Sequence, residues 1–352
     1  MNRRDYLRAT VGTAATVGLS GCLDIWTGKE EPEPETDVMV DPSKVSDEPV
    51  SPEVEEATEH LIDAQSDLDE ALNLIEKALS DFDGVTKTEA ITVDTSNIQS
   101  RLDSVTESLT AAEPGAVESQ QRFIDELRLF VASFEATKPV LDGVSTALDE
   151  YTTWETAIQT GALDEVSGAL SAFTETGEAA FESLNEVKAP FNDVDPAVYI
   201  KADGMTEGRI NHFVNEIDAV VSVLRALPSG MREFGDGVSA VVAARESMNA
   251  DEFKPGSDSL ENAVNSFDQA LTEFRDAEDT VLQKHRPDVQ AFKCASEAAH
   301  GASTAYLGSF NAVQDDDQEA VTAGVMDAQD ALNACPYNLA DPLFEPFIDQ
   351  LL

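Results

Sequence analysis

Positive charge is what this chain has least of. Of its 352 residues, 22 are Lys or Arg and 69 are Asp or Glu, a formal net charge of −47. A phosphate backbone would be repelled by such a surface, so nucleic acid is excluded as a partner. Long apolar runs are missing as well. No stretch of about 18 or more consecutive apolar residues occurs, so no membrane-spanning helix is predicted. Histidine is scarce: His60, His212, His285 and His300 fall on separate segments. No HExxH, phosphate-binding glycine loop or nucleophile elbow is present. A di-metal carboxylate bundle would need repeated Glu-x-x-His, and only Glu297 and His300 have that spacing. No Asn-x-Ser/Thr acceptor occurs either. These absences lead to the expectation that the chain is not an enzyme and carries no cofactor.

What is present begins at the N-terminus. Arg3 and Arg4 stand in the run Arg3-Arg4-Asp5-Tyr6-Leu7, a short Thr- and Gly-containing apolar stretch follows over 9–19, and Leu19-Ser20-Gly21-Cys22 closes it. The stretch is too short to span a bilayer. This order of elements resembles the twin-arginine signal and lipobox of exported lipoproteins, a resemblance confined to the N-terminus. It implies that residues 1–21 are a signal peptide cut before Cys22 and that Cys22 carries the lipid. It further implies folding before export, a membrane partner reached through that lipid, and localisation at the cell membrane facing the extracellular side.

Residues 22–52 read as the lipidated cysteine and a disordered acidic tether. Glu30-Glu31-Pro32-Glu33-Pro34-Glu35 and the further prolines Pro42, Pro49 and Pro52 combine low hydrophobicity with charge. Such a tether reaches about 50–100 Å when extended. The chain without residues 1–21 would keep 68 acids against 19 bases, or −49. At about 1 M salt the Debye length is roughly 3 Å, and self-repulsion on this scale is screened. The acids are dispersed along the chain and Lys numbers only ten, a composition similar to secreted proteins of halophilic archaea. An acidic cation buffer is the alternative, with Asp315, Asp316 and Asp317 as weak metal candidates; helix N-terminal capping explains the same three residues.

The body, 53–335, reads as all-α. Val54, Ala57, Leu61, Ala64, Leu68, Ala71, Ile75, Ala78 and Phe82 step by three and four without a break, a heptad seam. A similar alternation of large residues and alanine recurs at Leu260, Ala263, Phe267, Ala270, Phe274, Ala277 and Val281. Between them, Ile210, Phe213, Ile217, Val220, Leu224, Leu227, Met231, Phe234, Val238 and Val241 form a seam that is large throughout, which places it at a core centre. Pro228 is expected to kink or break that helix, and Pro139 to kink an earlier one. The expected architecture is four antiparallel long-helix hairpins, spanning about 53–112, 116–188, 206–283 and 286–335, in an elongated bundle with coiled-coil-like seams. Two sub-bundles with a break near 189–206 are equally consistent. Ile91-Thr92-Val93 and Val198-Tyr199-Ile200 alone hint at extended structure.

With Cys22 assigned to lipid, Cys294 and Cys335 remain. They are equidistant from the acidic turn at Asp315-Asp316-Asp317, and residues equidistant from a hairpin turn face each other. A disulfide is expected, closing a loop worth roughly 4 kcal/mol in the chain-entropy model; two buried free thiols are the alternative. Residues 336–352 form a short apolar tail, either folded back on a bundle end or exposed as a docking peptide. Trp154 with Tyr151 reads as core packing, with a solute pocket as the alternative. The functional expectation is a lipid-anchored surface structural or protein-interaction module with a protein partner in the cell envelope. A solute- or metal-capturing lipoprotein serving a transporter or sensor is the second.

Overall fold

The computed structural model describes residues 51–82, 84, 95–195, 198, 204–337, 339 and 341–351. Among them there are helices and no strand: α1 Pro52–Asp81, α2 Thr95–Ala112, α3 Glu118–Thr160, α4 Leu163–Phe191, α5 Glu207–Asn249, α6 Phe253–Thr280, α7 Arg286–Gln314, α8 Gln318–Asn333 and α9 Asp341–Leu351. Two short 3-10 turns, Glu113–Gly115 and Gln283–His285, precede α3 and α7. Residues 91–93, one of the two extended-structure hints, lie outside the described residues, as do residues 199 and 200 of the other.

The chain divides into two compact units. Among the described residues, unit 1 comprises 51–76, 95–137, 186–195, 198 and 204–213; unit 2 comprises 77–82, 84, 138–185, 214–337, 339 and 341–351. Boundaries between the units fall within α1, α3, α4 and α5.

In unit 1, Leu61, Ala64, Leu68, Ala71 and Ile75 of α1 are wholly buried, as the heptad spacing requires. Asp67 of α1 accepts from Arg101 Nη1 at 3.0 Å and from Ser104 Oγ at 2.6 Å, joining α1 to α2. Phe130 and Phe134 of α3 meet Phe191 edge-on at ring separations of 5.8 and 6.3 Å, and Phe134 meets Phe213 of α5 at 5.5 Å. Arg209 of α5 donates to both carboxylate oxygens of Glu76 (2.9 and 2.7 Å), to Asn73 Oδ1 at 2.8 Å, to the Gly204 carbonyl at 3.0 Å, and to Asp69. Gly204 has φ +80°, and a Cβ there would sit 2.4 Å from Asp69 Oδ1, so the turn before α5 needs glycine on both counts.

In unit 2, the large-residue seam of α5 is at the core centre: Ile217, Leu224, Leu227, Met231, Phe234 and Val238 are each 0 % exposed. α6 packs its Phe rings over two glycines of α5. A Cβ on Gly230 would lie 2.4 Å from Phe274, and one on Gly237 would lie 2.6 Å from Phe267. This seven-residue glycine spacing leaves holes for aromatic knobs. Neither α3 nor α5 ends at its proline, so of the kink or break expected at Pro228 the break does not occur. A mid-helix proline costs about 3 kcal/mol; buried Leu224 and Leu227 before it and Met231 and Phe234 after it hold the two segments against their neighbours and outweigh that cost.

α7 and α8 form a hairpin through the turn at Asp315–Asp317, and α7 also packs along α6. The apolar tail folds back. α9 buries Leu343, Phe344 and Phe347. Phe344 stacks on Tyr306 of α7 at 5.8 Å, and Phe347 meets Tyr306 and Phe310 at 5.0 and 5.8 Å.

Candidate functional site

Arg3, Arg4 and Cys22 lie outside the described residues. Cys294, on α7, and Cys335, just past α8, are joined in a disulfide with Cα atoms 5.6 Å apart. That separation is the ordinary one for such a bond. Of the turn aspartates, Asp317 caps α8. Asp317 Oδ1 accepts from the Ala320 amide at 3.1 Å, and Asp316 occupies the left-handed region at φ 57°. All three are exposed, and among the described residues no group of three His, Cys, Asp or Glu side chains is arranged to hold a metal.

Unit 2 contains a polar cluster that its helical pattern hides. Tyr151 and Glu155 come from one turn of α3, His285 and Asp288 from the start of α7, and Tyr337 from the segment just after the disulfide. Glu155, His285 and Asp288 are 8, 1 and 4 % exposed, values that single them out because charged side chains are seldom this buried. The hydroxyls of Tyr151 and Tyr337 are hydrogen-bonded to each other, and Tyr337 donates to Glu155 Oε1 at 3.5 Å. His285 Nδ1 faces Asp288 Oδ2 at 3.5 Å, and its Nε2 is buried with no hydrogen-bond partner among the described residues. Phe82 lies 5.1 Å from the imidazole. Gly84, at φ +125°, brings its backbone against Asp288, where a Cβ would fall 2.3 Å from Oδ1.

Burial pushes both phenols above the ordinary tyrosine range, so both stay protonated. Burial likewise pushes the Glu155 carboxyl up, against the Tyr337 hydrogen bond, which pulls it down. A carboxyl whose folded-state value is raised contributes stability that is full below its unfolded value and is lost as pH rises through the raised one. Glu155→Gln keeps an acceptor for Tyr337 and removes the buried charge. It should therefore raise the melting temperature at neutral pH by roughly 2–4 °C, the shift about 1 kcal/mol produces in a protein of this size class. In acid, where Glu155 is protonated, the two proteins should melt together. Equal melting temperatures at neutral pH would show that the carboxylate carries no penalty.

Trp154 belongs to the core beside this cluster. It is 0 % exposed, and its ring lies 6.1 Å from Tyr151, 6.1 Å from Phe234 and 6.2 Å from Phe292. Core packing is the reading its burial supports.

A second feature of unit 2 is an open groove of about 430 Å³ between α4 and α5. Leu163, Val166 and Leu170 contribute its apolar wall; Ser167, Ser171 and Thr174 contribute hydroxyls from the same helix. Glu175 and, from α5, Arg232, Asp236 and Ser239 complete its polar lining. Small residues on α5 make the notch: a Cβ on Gly235 would come within 3.0 Å of Val166. Sequence reasoning did not find the groove, since its residues are spread over two helices and match no motif. It also classed the four histidines alike; the i, i+3 spacing of His285 and Asp288 at a helix start was the available sign of their pairing.

Comparison with known proteins finds no matching family model, no matching curated protein and no matching solved structure.

Proposed function

We propose that this chain is a lipid-anchored surface protein whose helical body acts as a structural or protein-interaction module. The address rests on Arg3, Arg4 and the Leu19–Cys22 lipobox. The observation that carries the body's role is the consumption of the helical seams inside each unit. The apolar stripes of α1, α5 and α6 are buried, and the outward faces are left to acids. Ile62, Leu282 and Met326 are the large apolar side chains exposed among the described residues, on three separate segments. A partner would therefore meet a firm, acid-covered helical surface and be selected by charge complementarity, which favours a basic face on an envelope protein. The negative field disfavours nucleic acid. A salt-rich exterior is the medium in which such a surface is best tolerated.

Cell fractionation tests the address. Cys22→Ser should move the chain from the membrane fraction into the medium, since among the described residues no helix is long and apolar enough to cross a membrane. An unchanged membrane fraction would refute lipid attachment at Cys22. The second reading, a solute-capturing lipoprotein serving a transporter or sensor, is favoured by one observation, the polar groove between α4 and α5. Affinity capture from envelope fractions separates the two readings: a stoichiometric protein supports the first, and a bound small molecule without one supports the second.

A further inference from the structure

We infer that the α4–α5 groove takes a small zwitterion, a compound carrying an ammonium and a carboxylate, and this inference rests on the solute-capture reading above. The argument is an account of the groove's donors and acceptors. Thr174 Oγ1 donates to the Leu170 carbonyl at 2.8 Å and Ser239 Oγ to the Gly235 carbonyl at 3.0 Å. Ser171 Oγ is directed at Glu175 Oε1 at 3.5 Å. With their protons committed to their own helices, these hydroxyls present lone pairs to the groove. Glu175 and Asp236 are acceptors only when ionised. The lining is thus rich in acceptors, which suits an ammonium with its three donors.

The anionic end is specified by Arg232. Six of the nine guanidiniums among the described residues are engaged within the fold, and Arg232, Arg245 and Arg286 make no ion pair within 4.0 Å. Arg101, Arg122, Arg128, Arg209 and Arg275 pair with carboxylates, and Arg225 lies 3.8 Å over the Phe181 ring. Arg232 lines the groove and makes no ion pair within 4.0 Å among the described residues. It is therefore open to a carboxylate in bidentate geometry. A lone anion would have to approach through the field of Glu175 and Asp236, and a lone cation would face Arg232. A molecule bearing both charges satisfies both ends. The leucine and valine wall accommodates the methylenes between them, and about 430 Å³ is ample for a compound of amino-acid size.

Calorimetric titration of the chain lacking residues 1–21, with Cys22→Ser, tests this with four probes: γ-aminobutyrate, butyrate, butylamine and mannitol. The expected result is saturable heat from γ-aminobutyrate and affinity at least roughly tenfold weaker for either single-charge analogue. Arg232→Gln and Asp236→Asn, both at exposed positions, should each lose roughly tenfold in affinity for γ-aminobutyrate with circular dichroism unchanged. Mannitol binding without γ-aminobutyrate binding would overturn the zwitterion and leave solute capture standing. Heat from none of the four would end both. Butylamine binding as tightly as γ-aminobutyrate, or Arg232→Gln without effect, would overturn the role of Arg232.

Discussion

Trp154→Ala is expected to lower the unfolding free energy by roughly 3–5 kcal/mol, the range for truncating a fully buried aromatic. Trp154 is 0 % exposed at a place where three chain segments converge: Tyr151 on its own helix, Phe234 of α5 and Phe292 of α7 surround the indole. Aromatic rings at centroid separations near 6 Å gain from edge-on and tilted contact beyond their buried area. Removing the indole leaves a void beside three other rings, of which Phe234 is packed on Phe267 and Phe292 on Phe274. Total stabilities of domains are about 5–15 kcal/mol, so the variant should unfold at a much lower urea midpoint. Trp154→Phe should be far milder. It refills most of the space and removes the indole N–H, a buried donor with no partner among the described residues. A Trp154→Ala variant with an unchanged urea midpoint would contradict the packing assigned to this core.

The second large effect belongs to the disulfide. Replacing Cys294 and Cys335 together by Ser should cost roughly 4 kcal/mol, the chain-entropy value for a loop of about 40 residues; the two cysteines are separated by 41 positions. The slope of free energy against urea should rise, because an unfolded chain without the crosslink exposes more surface. The bond also fixes the start of the segment that carries Tyr337 into the polar cluster and α9 onto Tyr306 and Phe310. The absorbance of Tyr337 should therefore report on the crosslink as well as the urea midpoint does. Equal midpoints for the wild-type and double-Ser proteins would show that the crosslink contributes nothing to this fold.

The helical body was legible because its cores are linear seams. A heptad stripe such as Leu61–Ile75 or Ile210–Val241 carries its burial in spacing, and the structure buries those stripes. The disulfide was legible because a hairpin converts equal distance from a turn into proximity in space. Pro228 did not break its helix, since local propensity counts the lost hydrogen bond and not the packed residues on either side. The buried cluster was illegible for a different reason. Glu155 and Asp288 look like ordinary outward acids among 69, and their burial depends on Tyr337 and Gly84 arriving from distant parts of the chain. The groove escaped notice because it is made by small residues at a helix crossing, where a missing side chain leaves no mark in a hydrophobic pattern.

The reading of this chain as a surface interaction module is most directly tested by cross-linking in intact cells, with the wild-type protein and Cys22→Ser compared. The account predicts one envelope protein joined to the wild type in stoichiometric yield, with a basic face at the cross-linked site, and its loss when Cys22 is replaced. Recovery of the wild-type chain with no stoichiometric protein partner would contradict it.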